Sequence, residues 1–398
     1  MPVSIITLAL DEAKCAGCGA CMTVCPMQAI SMEMDVYGHL FPKIHENTCI
    51  QCGKCMAVCD FAKPAKTEKP IKAYAALGKD GRLVKNSTSG GVFATLANAA
   101  CADGVYIAGA VMDIADGQAD VYHLLSDKKE DLQRMQGSKY VQSEAWRCYD
   151  AVIQRIKSGK QVLFSGTPCQ VAAIKALTGD PQNLITMDIV CHGVPSQRML
   201  NDYLTILKKW LGGKVWHFLF RDKSCDKNFC ARIDIVGKKS VWIGSQHLSF
   251  YRYFLEGETY RESCYACPYA TTSRVSDITI GDYWGIEQFH EVALSRSWSC
   301  VLVNTEKGND FLLNYGEDLT LQPTQADWIA QNNKQMTAPS IKGKNRERIL
   351  EKYRQGGYAA VEADFISHNG GKIRFFWRLL KNRHANQKKQ AKKCKYED

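Results

Sequence analysis

Two cysteine motifs near the start of the sequence have the spacing of iron–sulfur ligands. The stretches CAGCGACMTVC, beginning at Cys15, and CIQCGKCMAVC, beginning at Cys49, both follow the pattern C-x2-C-x2-C-x3-C. Thiolate sulfur is soft and anionic, which suits the iron of a 4Fe-4S cluster. In two-cluster ferredoxins the fourth cysteine of each motif binds the other cluster. We therefore predict two 4Fe-4S clusters, one held by Cys15, Cys18, Cys21 and Cys59 and the other by Cys25, Cys49, Cys52 and Cys55.

The alternative for these motifs is a pair of zinc sites, because C-x2-C is also a zinc pattern. Zinc has no need of four evenly spaced cysteines in two copies, and ligation across the two motifs fits zinc poorly. We therefore adopt the iron–sulfur interpretation. Gly17, Gly19 and Gly53 allow a tight backbone in the motifs and expose N–H groups that can bond the sulfurs.

The elements around the motifs predict a ferredoxin-like module over residues 1–65. The stretch MEMDVYGHLFPKI, between the motifs, would supply short strands around Tyr37 and Gly38. The following stretch, FAKPAKTEKPIKAYAALGKD, contains two prolines and several lysines and shows little apolar periodicity. We therefore predict a linker over residues 66–80 and a larger domain over residues 81–370.

The larger domain alternates short apolar strands with helices, which indicates an α/β fold. The cluster KNSTSGG precedes Val92, Phe93, Leu96 and Ala100 at helical spacing, and Gly104 follows as a stop. The start of such a helix exposes N–H groups that can hold a phosphate, although an ordinary capped helix has the same pattern. The stretches VYIAGAVM, KQVLFS and NLITMDIV are predicted strands.

Four further cysteines lie in or near turns of this domain. Cys169 and Cys191 follow predicted strands, at the end of the sheet where α/β folds bind ligands. Cys264 and Cys267 form a third C-x2-C pair. Lone cysteines are usually buried small hydrophobic residues, so both a third 4Fe-4S cluster and a core role remain open at this point. We assign a structural role to Cys225 and Cys230, and expect free thiols at Cys101, Cys148, Cys300 and Cys394.

Composition and charge narrow the class of protein. The chain has 398 residues and 18 cysteines, but no apolar run long enough to span a bilayer and no visible secretory signal. We therefore expect a cytoplasmic protein whose thiols are reduced and used as metal ligands. The net charge of +10 lies mostly in the tail, residues 371–398, so a nucleic-acid-binding body is not implied.

The basic tail has two interpretations. Ile373, Phe376, Trp377 and Leu380 would lie near one another on a helix surrounded by lysines and arginines. Such a segment can lie on an anionic membrane surface, which would make the protein peripheral to the membrane. A solvated terminal helix is the simpler alternative.

Seven further motifs lie between residues 70 and 370, in the order STSGGVF, GSKYVQS, SGTPCQVAAIK, CHGVPS, FRDKS, CPYA and GDYWGI. Together they resemble the coenzyme F-420 (deazaflavin) hydrogenase/dehydrogenase beta-subunit family. The resemblance implies an FAD bound beside a 4Fe-4S cluster. It implies Cys169, Cys191, Cys264 and Cys267 as that cluster's ligands. It also implies flavin contacts at Ser87, Ser89, Gly90, Gly91, Gly137, Ser138 and Lys139.

The predicted architecture is an α+β ferredoxin-like two-cluster module followed by a larger α/β flavin and iron–sulfur domain. The predicted function is an oxidoreductase that passes electrons between ferredoxin-type clusters and an FAD acting on a small organic substrate or a deazaflavin-like coenzyme. Reduced ferredoxin, flavodoxin or another redox protein would be its partner. His192 either donates to the flavin or substrate or makes only a local hydrogen bond. The alternatives are an electron-transfer subunit without its own substrate site and a protein whose clusters are structural or redox-sensing.

Overall fold

The computed structural model describes residues 13–59, 65–225, 229–292 and 297–371. From residue 372 onward the predicted basic tail lies outside the described residues, as do its side chains Ile373, Phe376, Trp377 and Leu380. Within the described ranges no helix is long and apolar enough to cross a membrane.

The described part of the N-terminal module, residues 13–59, contains two short helices and one hairpin. Helices α1 (Ala20–Thr23) and α2 (Lys54–Ala57) each begin directly after a glycine in the left-handed conformation. Strands β1 (Ile30–Met34) and β2 (Leu40–Ile44) are antiparallel. The carboxylate of Asp35 accepts hydrogen bonds from backbone N–H groups in the turn between them. The strands predicted on either side of Tyr37 and Gly38 are therefore confirmed.

Eleven further strands follow within the described residues, eight in one large sheet and three in a small one. In chain order they are β3 (Lys72–Gly78), β4 (Tyr106–Ala115), β5 (Gln118–Ser126), β6 (Val162–Gly166), β7 (Leu184–Ile189), β8 (Val215–Leu219), β9 (Cys230–Ile235), β10 (Val241–Gly244), β11 (Ile278–Asp282), β12 (Ser299–Val303) and β13 (Leu319–Thr324). The large sheet has the order β13-β3-β12-β11-β7-β6-β4-β5, and the small one β10-β9-β8.

The centre of the large sheet is parallel. Strands β4, β6, β7 and β11 run in one direction, while β5, β12 and β3 pair antiparallel to their neighbours. Val162, Leu163 and Phe164 of β6 are fully buried, as expected for a parallel strand covered on both faces. The carboxyl ends of β6, β7 and β11 therefore meet at one edge of the sheet.

The predicted linker over residues 66–80 is wrong for residues 72–78. These residues form β3, which lies between β12 and β13 in the large sheet. Ala75 and Ala76 are completely buried. The three alanines of this strand show no strict alternation of apolar and polar residues, and the two prolines lie before the strand. The sequence therefore did not indicate a strand buried on both faces.

Ten helices complete the described part of the larger domain. They are α3 (Gly81–Asn86), α4 (Val92–Ala102), α5 (Lys129–Met135), α6 (Trp146–Lys157), α7 (Pro168–Thr178), α8 (Gln197–Leu211), α9 (Ser249–Leu255), α10 (Glu306–Tyr315), α11 (Ala326–Asn332) and α12 (Arg346–His368). Helices α4, α5 and α10 share one hydrophobic core with the sheet, and α6 and α7 share another. The small sheet packs with α8, α9 and α12 in a third core.

Glu362 places a carboxyl group inside this third core. Its side chain is 3% exposed and accepts a hydrogen bond from the Ser249 hydroxyl. Its Oε1 has no hydrogen-bond partner among the described residues. Burial raises the pKa of Glu362 to about 7.

We predict that Glu362→Gln stabilises the protein at alkaline pH. The folded state holds the proton up to about pH 7, whereas the unfolded chain releases it near pH 4.5. The free energy of unfolding therefore falls as pH rises between these values, by roughly 2–3 kcal/mol. Thermal unfolding should show a higher Tm for the variant at about pH 8 and little difference at about pH 5. Glu351→Gln, at a half-exposed position of the same helix, is the control. An equal Tm for wild type and Glu362→Gln at alkaline pH would contradict the prediction.

Candidate functional site

The structure brings together the cysteines predicted for the first cluster, which we call the first set: Cys15, Cys18, Cys21 and Cys59. Burial, followed by the neighbouring Cys15 and Cys59 thiols, raises the pKa of Cys21 to about 12. Burial, followed by the neighbouring Cys21 and Cys15 thiols, raises the pKa of Cys18. The backbone N–H of Gly17 donates to the Cys15 sulfur at 3.3 Å. Cys59 of the second motif therefore lies near Cys21 of the first motif.

The cysteines predicted for the second cluster, the second set, line one small cavity. Cys25, Cys49, Cys52 and Cys55 all contribute to its wall, and its volume is about 20 Å³. The N–H of Ala29 donates to the Cys25 sulfur at 3.3 Å. Cys52 is exposed, as are the neighbouring side chains of Met27 and Ile50. The second set therefore opens to the protein surface.

Cys169, Cys191, Cys264 and Cys267, the third set, converge from three separate elements. Cys169 lies in the first turn of α7, directly after β6, and Cys191 lies two residues beyond β7. Cys264 lies in a 3-10 turn, Glu262–Ala266, and Cys267 follows it. All four line one large cavity. Burial, followed by the neighbouring Cys264, Cys169 and Cys267, raises the pKa of Cys191.

Arg274 fixes the relative positions of the two backbone segments that bear Cys191 and Cys267. Its guanidinium pairs with Asp188 of β7 at 2.9 Å, and the two side chains are 1% and 0% exposed. It also donates to the carbonyls of Tyr269 and Thr271, just beyond Cys267, and to that of Ile189, just before Cys191. One side chain therefore fixes both segments.

The donor set fits an iron–sulfur cluster. Four thiols face one cavity, and burial together with mutual repulsion opposes their ionisation in the protein alone. A cationic iron core offsets both effects, because metal binding requires thiolates and releases their protons. Among the described residues no group of three His, Cys, Asp or Glu side chains is arranged to hold a single metal ion.

Most of the predicted flavin contacts line the same cavity, whose volume is about 320 Å³. Its wall contains Ser87, Ser89, Gly91, Gly137, Ser138 and Lys139. Gly90 does not line it. The N–H of Gly90 donates to the Ser299 hydroxyl at 2.8 Å, and a Cβ at this glycine would clash with the Ala76 carbonyl oxygen. Gly90 is therefore required for close packing of the loop on the sheet.

The hydroxyl groups of the predicted loop are engaged within the protein. Ser87 donates to the carbonyl of Leu83 at 2.8 Å, and Ser89 donates to that of Trp298 at 2.9 Å. Thr88, which was not among the predicted contacts, accepts the N–H of Ser138 at 2.8 Å. The bond between Thr88 and Ser138 joins the two predicted loops into one wall. The Ser87 and Ser89 hydroxyls have given their protons to carbonyls, so toward a ligand they can act only as acceptors.

Lys139 contributes a cation to the same wall. Its ammonium donates to the carbonyls of Arg134 and Gln136 at 2.8 Å, at the carboxyl end of α5. Burial, followed by the charge of Arg134, lowers the pKa of Lys139 to about 7. An anion bound in the cavity would favour the charged form of this lysine.

Sequence reasoning missed a buried ion pair in the cavity wall. Arg221 donates to Asp282 at 2.6 Å, and the two side chains are 6% and 21% exposed. The guanidinium also lies over the rings of Phe229 and Trp284, at 5.3 and 5.6 Å from their centroids. Arg221 lies in the motif FRDKS and Asp282 in the motif GDYWGI. Membership of these motifs was the sequence signal that could have pointed to the pair.

His192 also lines the cavity. Burial lowers its pKa, which favours the neutral ring. Its backbone carbonyl accepts a hydrogen bond from the Ser340 hydroxyl. Both interpretations of the His192 side chain therefore remain predictions.

The remaining cysteines lie apart from these sets. Cys225 and Cys230 are joined by a disulfide bond, so the expectation of reduced thiols is wrong for this pair. Cys101, Cys148 and Cys300 are buried free thiols, and Cys394 lies outside the described residues.

Comparisons with known proteins agree with the two-part organisation. Residues 14–62 match the 4Fe-4S dicluster domain, and residues 159–327 match the family described as the C terminus of the coenzyme F420 hydrogenase/dehydrogenase beta subunit. The second match contains the whole third set but stops short of the loops around Ser89 and Ser138. No curated protein matches the chain.

Among solved structures, a chain of the F420-reducing NiFe hydrogenase complex from Methanosarcina barkeri is similar. The identity is 16%, the match covers 73% of this chain and 94% of that chain, and the TM-score is 0.45. From the two matches, the conclusion is that residues 159–327 are similar to the C terminus of the coenzyme F420 hydrogenase/dehydrogenase beta subunit and that residues 14–62 are a 4Fe-4S dicluster domain.

Proposed function

We propose that the chain is a ferredoxin-linked iron–sulfur flavoprotein that reduces or oxidises a small organic substrate or a deazaflavin-like coenzyme. The observation that supports this proposal is a single cavity. Its wall contains the third set of cysteines together with both loops expected to contact a flavin. A bound FAD would supply the exchange between single cluster electrons and a two-electron reaction with an organic molecule.

The start of α4 would hold the phosphates of the flavin nucleotide. Gly91, Val92, Phe93 and Ala94 line the cavity, and Gly91 precedes the helix without a side-chain capping bond. The first N–H groups of a helix have no partner within the helix, and the helix dipole favours an anion there. Lys139 lies in the same wall and, although burial lowers its pKa to about 7, a bound phosphate would favour its charged form.

Arg221 would stabilise negative charge in the same cavity. Asp282 fixes its position, and the flanking rings of Phe229 and Trp284 limit its movement. A cation held in a mostly apolar wall interacts more strongly with a ligand charge than one in water. The substrate class this favours is an organic acceptor that gains negative charge on reduction.

The second set would receive electrons from a redox protein. It is the set that opens to the surface, and Met27 and Ile50 are 44% and 60% exposed beside it. A small apolar rim around a redox centre suits a transient partner such as a reduced ferredoxin or flavodoxin. The first set is near both other sets, since, besides burial, Cys55 raises the pKa of Cys21 and Cys169 raises that of Cys18.

Anaerobic purification should yield about twelve irons and one FAD per chain. Three cysteine sets each hold four irons in this proposal, and the cavity holds the flavin. Iron, sulfide and flavin would be quantified on one sample. A yield of about eight irons without flavin would contradict the proposal and favour an electron-transfer subunit that has no substrate site of its own.

We expect Lys139→Met to weaken FAD binding while leaving iron content unchanged. Loss of one charge-assisted contact to a phosphate should raise the Kd for FAD about tenfold or more. Flavin-free protein would be titrated with FAD by fluorescence. Lys129→Met, at an exposed position of α5, is the matched control. An unchanged Kd in Lys139→Met would remove this lysine from the flavin site.

Ile50→Glu should slow electron entry from reduced ferredoxin about tenfold, because a charge at the rim of a docking surface changes the association rate. The rate of reduction by dithionite, a small reductant that needs no docking surface, would be measured by stopped flow to show that the clusters are intact. Val36→Glu, at an exposed turn position of the same module, is the control. Equal ferredoxin rates for wild type and Ile50→Glu would show that the partner docks elsewhere.

A further inference from the structure

Three side chains of the larger domain hold the loop that bears Cys15. Arg261 and Ser263 both donate to the Cys15 carbonyl, at 3.1 and 3.0 Å. The amide of Gln142 donates to the carbonyls of Ala16 and Gly17, at 3.0 and 3.2 Å. Three consecutive carbonyls of the first motif are therefore bound by the domain that contains the third set.

Arg261 is the centre of this junction. Its side chain is 1% exposed. Besides Cys15, it donates to the carbonyl of Leu40 at 2.5 Å and to the Gln142 side chain at 3.2 Å. Its guanidinium lies 4.3 Å from the centroid of the Phe41 ring. Arg261 thus contacts both the cluster loop and the hairpin of the N-terminal module.

Arg261 is also part of the turn that positions the third set. Its backbone N–H donates to the Val194 carbonyl, three residues beyond Cys191, at 2.9 Å. Its own carbonyl accepts the N–H of Cys264 at 3.0 Å. The main chain of one residue therefore belongs to the third set's scaffold, while its side chain belongs to the first set's loop.

The packing between the two modules at this junction leaves no space for a side chain at two glycines of the first motif. A Cβ at Gly17 would lie 2.5 Å from the Arg261 guanidinium and 2.8 Å from the Leu40 carbonyl oxygen. A Cβ at Gly19 would lie 2.7 Å from the Trp146 side chain. Cys18 and Cys169 pack against the same hydrophobic core, and Ala16 lines the large cavity.

We propose that Arg261 is a positioning residue that fixes the separation between the first and third sets of cysteines. Ser263 and Gln142 assist by holding the same loop. This separation would govern the transfer of one electron between the clusters held by the first and third sets, in which one cluster would be oxidised as the other is reduced. No proton moves and no bond changes. The inference rests on the proposed three-cluster function.

The test compares wild type with Arg261→Lys, purified anaerobically as full-length protein. Lysine keeps the charge but lacks the planar fork that reaches several carbonyls at once. We expect about twelve irons in both proteins. In the dithionite-reduced variant, the magnetic interaction between the two clusters should be lost from the electron paramagnetic resonance spectrum. Reduction of the third set's cluster should slow about tenfold. Arg252→Lys, in an exposed pair with Glu256, is the control.

The outcomes separate this inference from the proposed function. About eight irons in the wild-type protein would overturn the proposed function itself. Full iron content with an unchanged spectrum and rate in Arg261→Lys would overturn only the role of Arg261. If Arg261→Lys loses iron, the same spectrum would be measured on Ser263→Ala, which removes one of the two side-chain donors to the Cys15 carbonyl. A weakened interaction in Ser263→Ala supports the inference, and an unchanged one overturns it.

Discussion

The buried ion pair between Arg274 and Asp188 determines the geometry on which the candidate site depends. A buried pair is stabilising only when its hydrogen bonds are satisfied, and loss of one partner typically costs about 3–5 kcal/mol. Arg274 meets this condition with bonds to Asp188, to Thr279 and to three backbone carbonyls, whereas Oδ1 of Asp188 has no hydrogen-bond partner among the described residues. The carbonyls belong to segments beside Cys191 and Cys267, so Arg274 holds the backbone next to two members of the third set.

A second constraint is the close contact between the two modules. Glycines in the first motif have positive φ, 62° at Gly17 and 78° at Gly19, and a Cβ at these positions would lie 2.5 and 2.7 Å from side chains of the larger domain. Glycine is thus required here for two reasons, the backbone conformation and the absence of room for a Cβ. The cluster loop and the larger domain therefore form one packed unit.

The sequence predicted what local spacing encodes. The cysteine motifs follow fixed short intervals, and the predicted strands at KQVLFS and NLITMDIV became β6 and β7, which position Cys169 and Cys191. Contacts between distant residues were not predictable. Arg221 and Asp282 are 61 residues apart, and Arg261 and Cys15 are 246 apart. The strand β3 was missed because its alanines are buried by neighbouring strands and helices rather than by any periodicity of their own.

The three cysteine sets differ in the surroundings that each one faces, and this difference suggests how the chain divides its work. The second set faces solvent beside apolar side chains, which suits exchange with a mobile partner. The third set faces a cavity whose lining includes the polar side chains of Lys139, His192 and the Arg221–Asp282 pair. The loop of the first set is held by Arg261, whose main chain also shapes the third set's turn. Rigid placement is therefore concentrated where the two modules meet.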